Sequence, residues 1–181
     1  DFMPSRRGIV AESNQILNEE NIFAPIGDVV YKINAKNGKI IKNFGNGGFV
    51  KAFTLIAPII YKNNLVVVGR QKLLIFNKNN GEFISEIKIH PEDINHYGGI
   101  VWGGAALDEN KGIVYVTTGN PRPQLVGISR PGMNKRSNSI VAINLNSKKV
   151  IWDFQETSHD LWDLDIGSPP IIHNLKINEN T

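Results

Sequence analysis

Three stretches of this chain repeat one pattern, and that repeat limits the fold more than any other feature of the sequence. They are residues 30–41, 73–84 and 140–152. Each is a short apolar strand, a polar turn anchored by an asparagine (Asn34, Asn77, Asn144), then a second apolar strand, which together read as a hairpin. In the first two, Asn37-Gly38 and Asn80-Gly81 occupy the corner, where a left-handed backbone costs least. The third has Ser147-Lys148 there, which predicts a turn of another type. Asn34 and Asn77 lie 43 positions apart, close to the length of a four-stranded propeller blade. Asn77 and Asn144 lie 67 apart, so the third unit carries extra residues. The surplus is the stretch from Gly119 to Arg136, rich in Gly, Pro and Arg, and insertions in repeat arrays gather on one face, often the binding face.

Further strands are expected over 65–68 and 112–118, the latter alternating Ile113, Tyr115 and Thr117 against Val114 and Val116. Residues 169–173 read as the start of another. No amphipathic helix of ten residues is expected, and 14–21 is the one weak candidate. The fold class is therefore all-β, a β-propeller of four-stranded blades, with about three blades in one domain over 1–181 and repeat hairpins near 30–44, 73–87 and 140–154. Three blades do not close a ring, so the chain reads as one part of a larger propeller.

The apolar runs are of strand length, too short to span a bilayer. The absence of cysteine removes disulfides, thiolate metal ligands and thiol nucleophiles together. A net charge of +3 invites a nucleic-acid reading, but the lysines are spread among turn asparagines (Lys36-Asn37, Lys62-Asn63, Lys78-Asn79) with no basic block. No nucleic-acid partner is expected.

Three clusters could carry chemistry. Residues 155–165 hold Glu156, His159, Asp160, Trp162, Asp163 and Asp165. A carboxylate desolvated beside an aromatic is a stronger base, and Asp163 and Asp165 could share a hard cation. Equally, His159-Asp160 could cap a blade corner and Trp162 fill a core. In the second cluster, Trp102 precedes Gly103-Gly104-Ala105-Ala106 and so could offer a flat ring to a planar ligand, while Gly119-Asn120-Pro121 ends a strand with an amide oxygen. A core tryptophan and an ordinary turn are the alternative. The third is Arg6-Arg7-Gly8, whose guanidinium fork could bind a carboxylate or quinone oxygen or simply be solvated.

Taken in order, Arg7-Gly8, Trp102, Gly119-Asn120-Pro121 eighteen residues on, Trp152-Asp153-Phe154-Gln155 and His159-Asp160-Leu161-Trp162-Asp163 resemble the pyrroloquinoline quinone (PQQ)-dependent alcohol and sugar dehydrogenases. Leu161-Trp162-Asp163 and Ser168-Pro169-Pro170 lean toward the glucose/quinate-type branch. The resemblance implies an eight-bladed catalytic propeller. It also implies Trp102 stacked beneath the quinone, Arg7 on the quinone oxygens, Asn120 as a metal ligand, and Asp163 as general base at or near the metal. Asp165 would be a further metal ligand. The implied cofactors are PQQ and Ca²⁺, with a lanthanide or Mg²⁺ as alternatives. The implied reaction is proton removal from a sugar, polyol or alcohol by Asp163 with hydride transfer to quinone carbon C5. Partners would be the small-molecule substrate and a quinone or cytochrome electron acceptor, in or facing the periplasm.

The sequence departs from the alcohol-oxidising members in two ways. It lacks their adjacent cysteines, and after the strand ending at Gly69 it has Arg70-Gln71-Lys72 where they supply a metal-binding glutamate. The alternative is a PQQ-like propeller that binds no cofactor and serves as a scaffold or assembly module.

Overall fold

The computed structural model describes residues 8–14, 19–91 and 97–173. They form three four-stranded antiparallel sheets, each a blade. Blade 1 is β1 (Val10–Asn14), β2 (Glu19–Ile26), β3 (Val29–Asn34) and β4 (Phe49–Lys51). Blade 2 is β5 (Ile59–Tyr61), β6 (Asn64–Val68), β7 (Lys72–Asn77) and β8 (Phe83–Lys88). A two-residue β9 (Tyr97–Gly98) precedes blade 3, which is β10 (Val101–Asp108), β11 (Ile113–Thr118), β13 (Ser139–Asn144) and β14 (Lys149–Gln155). The insertion between β11 and β13 opens with β12 (Pro121–Arg122), which pairs with β9.

Blades bury their faces against neighbouring blades. Phe23, Val30, Phe44 and Val50 of blade 1 pack on Leu65, Val67 and Phe76 of blade 2. The opposite face of blade 2, with Val66, Val68, Leu73 and Ile75, packs on Val114, Val116, Val141 and Ile143 of blade 3. Since successive strand residues point to opposite faces, this explains why 65–68 is an unbroken apolar run rather than an alternating one. β11 alternates as expected, with Val114 and Val116 facing blade 2.

The three repeat turns are one structure. Asn34 Oδ1 accepts the N–H groups of Lys36 and Asn37, Asn77 Oδ1 those of Asn79 and Asn80, and Asn144 Oδ1 those of Asn146 and Ser147. Four residues after each asparagine the backbone turns left-handed, at Gly38 (φ 70°), Gly81 (φ 77°) and Lys148 (φ 56°). The third turn is thus not of another type. The asparagine side chain sets the geometry, and Lys148 adopts the conformation that glycine holds in the other two.

Other expectations are revised. In blade 1 the strand expected at Ile40-Ile41 is reduced to a bridge between Ile33 and Ile40, and the outer strand comes later, as β4. Gly48 permits this, because a Cβ there would sit 2.1 Å from Ile40 Cγ2. The weak helical candidate at 14–21 joins the end of β1 to the start of β2, and its residues 15–18 lie outside the described residues. Residues 169–173 pair with no strand among the described residues. Among the described residues no helix is long and apolar enough to cross a membrane.

Candidate active site

Three segments converge where β10 begins and β11 ends. The first is a bulge. Val101 pairs with Thr118 and Ala105 with Val116, so four steps along β10 match two along β11. Bulges re-aim side chains, and this one carries Trp102. The small residues after Trp102 serve the second segment, 165–169, which runs directly against them. A Cβ on Gly103 would lie 2.9 Å from Ile166 O, and one on Gly104 2.7 Å from Pro169 Cβ. Thr117 Oγ1 fastens that segment by donating to Ser168 O at 3.0 Å. The run of small residues therefore admits a chain segment, and it is Gly119 that makes room at the indole. A Cβ on Gly119 would lie 2.7 Å from Trp102 Nε1 and 2.3 Å from Asp165 Oδ1.

The third segment is the turn 160–164. Asp160, only 2% exposed, accepts the N–H of Trp162 on one carboxylate oxygen and that of Leu164 on the other, both at 2.8 Å. Its carboxylate also accepts from Asn138 Nδ2 at 3.1 Å. Closed in this way, the turn holds Asp163 in the left-handed region at φ 65°. Asp163 Oδ1 accepts from Asn120 Nδ2 and, at 2.8 Å, from Gln124 Nε2. Asn120 Oδ1 in turn accepts from Asn138 Nδ2 at 2.9 Å.

Asp165 has another environment. Its Oδ1 accepts the backbone N–H of Asn120 at 2.6 Å. Burial pushes its carboxyl above the ordinary value, with the charges of Asp163 and Asp160 adding to the effect and hydrogen bonds from the Asn120 backbone and the Trp102 side chain opposing it. Within the 155–165 cluster the desolvated carboxylate beside an aromatic is Asp165, whereas Trp162 is 79% exposed and Asp163 is also exposed. Trp162 fills no core. His159 Nδ1 lies 2.8 Å from Gly132 O and ties this turn to the insertion.

Trp102, Asn120 and Asp165 line one cleft of about 220 Å³, together with Leu55, Ile100, Gly119, Arg122 and Gln124. Asp163 borders it through Asn120 and Gln124. Arg7 lies outside the described residues. The turn after β6 is tight, with Gly69 N–H donating to Lys72 O at 2.8 Å, and it carries no acid. Arg70 there sits 4.5 Å over the Phe53 ring, and Gln71 Nε2 reaches Gly98 O at 3.4 Å.

The residues present fit a planar anionic quinone and a hard cation. Asp163 and Asp165 offer carboxylate oxygens, as a hard cation prefers, and Asn120 would add its Oδ1, which here accepts from Asn138 Nδ2. Gly119 keeps the indole edge and the Asp165 carboxylate clear of a side chain, and Arg122 supplies positive charge at the cleft. Beside Asn120, the buried Asn138 Oδ1 has no partner among the described residues, a leftover acceptor of the kind that bound groups satisfy. Among the described residues no three acids or histidines could hold an ion by themselves, so an amide oxygen or the bound ligand would have to complete the shell.

Residues 75–181 match the family model described as the glucose/ethanol/alcohol dehydrogenase β-propeller domain, PQQ. The chain belongs to this family. The chain is 28% identical over 190 residues to quinoprotein glucose dehydrogenase A of Acinetobacter calcoaceticus, covering 86% of this chain and 24% of that protein. It is 26% identical to quinoprotein glucose dehydrogenase of Escherichia coli K12, covering 87% and 24%. Among solved structures, quinohemoprotein alcohol dehydrogenase from Comamonas testosteroni superposes with a TM-score of 0.75 at 21% identity, over 96% of this chain and 30% of that one. A europium-containing methanol dehydrogenase gives 0.70 at 20%, over 91% and 34%. The chain thus spans about a quarter of the length of the curated relatives it matches.

Sequence reasoning missed Gln124, Arg130 and Asn138. Gln124 and Arg130 lie in the Gly-, Pro- and Arg-rich insertion and Asn138 just after it, which was the available signal, but their partners are set by the folded path of that loop.

Proposed function

We propose that the full-length protein is a PQQ-dependent dehydrogenase oxidising a sugar, polyol or alcohol, with Asp163 as the general base. The observation that carries this reading is the hydrogen bond that sets Asp163 beside Asn120, which with Asp165 and the Trp102 indole lines one cleft. Two amides hold Oδ1 of Asp163, which leaves Oδ2 to take the proton of the substrate hydroxyl. Trp102 forms the floor for a planar ring, and Arg7 and Arg122 supply cationic donors to anionic oxygens. Asn120, Asp163 and Asp165 would hold the cation through oxygen. When bound, the quinone supplies the two-electron acceptor for the carbinol hydrogen, and the cation supplies Lewis-acid polarisation. Electrons leave to a quinone or cytochrome acceptor, the protein faces the periplasm, and residues 1–181 belong to a single propeller domain.

The tight, acid-free turn from Gly69 to Lys72 favours a second reading, a cofactor-free scaffold. Reconstituting the full-length protein with PQQ and Ca²⁺ or a lanthanide, then following dye-linked oxidation across sugars and alcohols, separates the two. The dehydrogenase retains PQQ and reduces dye. Absence of both under every metal would leave the scaffold. Asp163→Asn is expected to lower turnover by at least about 100-fold, the scale of a lost general base, while PQQ retention largely survives.

A further inference from the structure

Arg130 is wholly buried, 0% exposed, in an inserted loop where an arginine would ordinarily be solvated. Its guanidinium spends its donors on neutral acceptors. Nε donates to Pro123 O at 2.7 Å, one terminal nitrogen to Asn134 Oδ1 at 2.6 Å, and the other to both Gln124 O and Asp160 O. A buried charge bonded to neutral acceptors is costly to the fold and persists only where the bonds are well made.

Those acceptors lie on two separate segments. Pro123 and Gln124 precede Arg130 on its own loop, while Asp160 begins the turn that carries Asp163. The bonds close a ring. Arg130 holds the Gln124 carbonyl, the Gln124 side chain donates to Asp163 Oδ1 at 2.8 Å, the Asp163 turn is capped by the Asp160 carboxylate, and the Asp160 carbonyl returns to Arg130. We propose that Arg130 and Gln124 are positioning residues for Asp163. The guanidinium fixes the spacing between loop and turn, and the Gln124 amide orients the carboxylate so that Oδ2 faces the substrate. The inference rests on the reading of Asp163 as the base. A lysine at 130 would keep the charge but not the planar fork that reaches both segments at once.

The test uses the full-length protein and four variants, Gln124→Ala, Arg130→Lys, their double, and Asp163→Asn, each measured for kcat, KM, melting temperature and retained PQQ. Gln124→Ala should lower kcat about tenfold, since small misplacements of a reacting group are costly, with KM, melting temperature and PQQ content near those of the parent. Arg130→Lys should lower kcat at least as far. Because Arg130 acts on the base through Gln124, the double variant should fall no further than Arg130→Lys within about twofold, the coupling expected of residues in one network. A crystal structure of the cofactor-free Arg130→Lys protein should show the hydrogen bond from Gln124 to Asp163 broken and blade 3 intact. Normal kcat in Gln124→Ala beside an inactive Asp163→Asn overturns the positioning role alone, as does a multiplied loss in the double variant or an unbroken hydrogen bond from Gln124 to Asp163. Normal turnover of Asp163→Asn removes the base itself and the proposal with it. Should Arg130→Lys fail to fold, the kcat and melting temperature of Gln124→Ala decide the matter.

Discussion

Asp163 and Asp165 stand two positions apart and do different work. Asp165 is drawn in by the Asn120 N–H and the Trp102 side chain and is desolvated there, whereas Asp163 stands at the surface of the cleft with one oxygen tied by amides. Space for the Asp165 carboxylate beside the indole depends on the missing Cβ of Gly119. No positive φ requires glycine at that position, so Gly119→Ala should fold. Its methyl would instead push Asp165 or the indole out of place, an overpacking cost of about 1–3 kcal/mol. Equilibrium dialysis of PQQ with the full-length apoprotein should show binding weakened by about 5- to 150-fold if that energy falls on the bound state. Unchanged binding would place the cofactor away from Trp102. The side chains that sequence alone singles out are those with distinctive chemistry in order, Trp102, Asn120, Asp163 and Asp165. Asp160 is legible there only as a corner cap, because its role is to accept main-chain N–H groups. The roles of Gln124 and Arg130 are not legible there, because what they bond to depends on how the insertion folds.

At the scale of the element, the asparagine turn explains why the repeat can be found at all. Its geometry comes from one side chain and one left-handed residue four positions on, both local, so the signal survives in sequence. The same locality explains why the third turn misleads, since the absence of glycine suggests another shape while Asn144 still imposes the same one. Lys148 holds φ 56° at a cost that glycine does not bear. A left-handed L-residue costs about 1–2 kcal/mol, against about 0.5–1 kcal/mol for the greater entropy glycine loses on folding. Lys148→Gly is therefore expected to stabilise blade 3 slightly, by about 0.5–1 kcal/mol, seen as a raised urea midpoint with unchanged slope. A lowered midpoint would mean that the Lys148 side chain contributes more than its backbone costs. The displaced outer strand of blade 1 shows the limit of the local signal. Whether Ile40-Ile41 forms a strand depends on Gly48 crossing it, a close approach between residues eight apart with no periodic mark.

Across the whole molecule, each blade is stable only through its neighbours, as in other repeat architectures, and the two interfaces of blade 2 are not equivalent for the site. The blade 1 interface contains Leu65 and Val67. The blade 3 interface contains Val116, Val141 and Ile143, which lie on β11 and β13, the strands whose ends lead into Asn120 and Asn138. Thr118 and Ser139 lock those strand ends together, Ser139 N–H donating to Thr118 Oγ1 at 3.0 Å and Thr118 Oγ1 to Ser139 O at 3.2 Å. Loosening the second interface should therefore shift the site, while loosening the first should not. Leu65→Ala and Ile143→Ala each remove a buried side chain at 0% exposure, and each should cost about 2–5 kcal/mol. Both should lower the melting temperature of the full-length protein. Only Ile143→Ala should also weaken PQQ binding, because its cavity lies between β11 and β13 and blade 2, and the far ends of those two strands lead into Asn120 and Asn138. Equal losses of binding would mean that the ring responds as one rigid body, and that the position of the site is set by closure of the propeller rather than by the packing of blade 3.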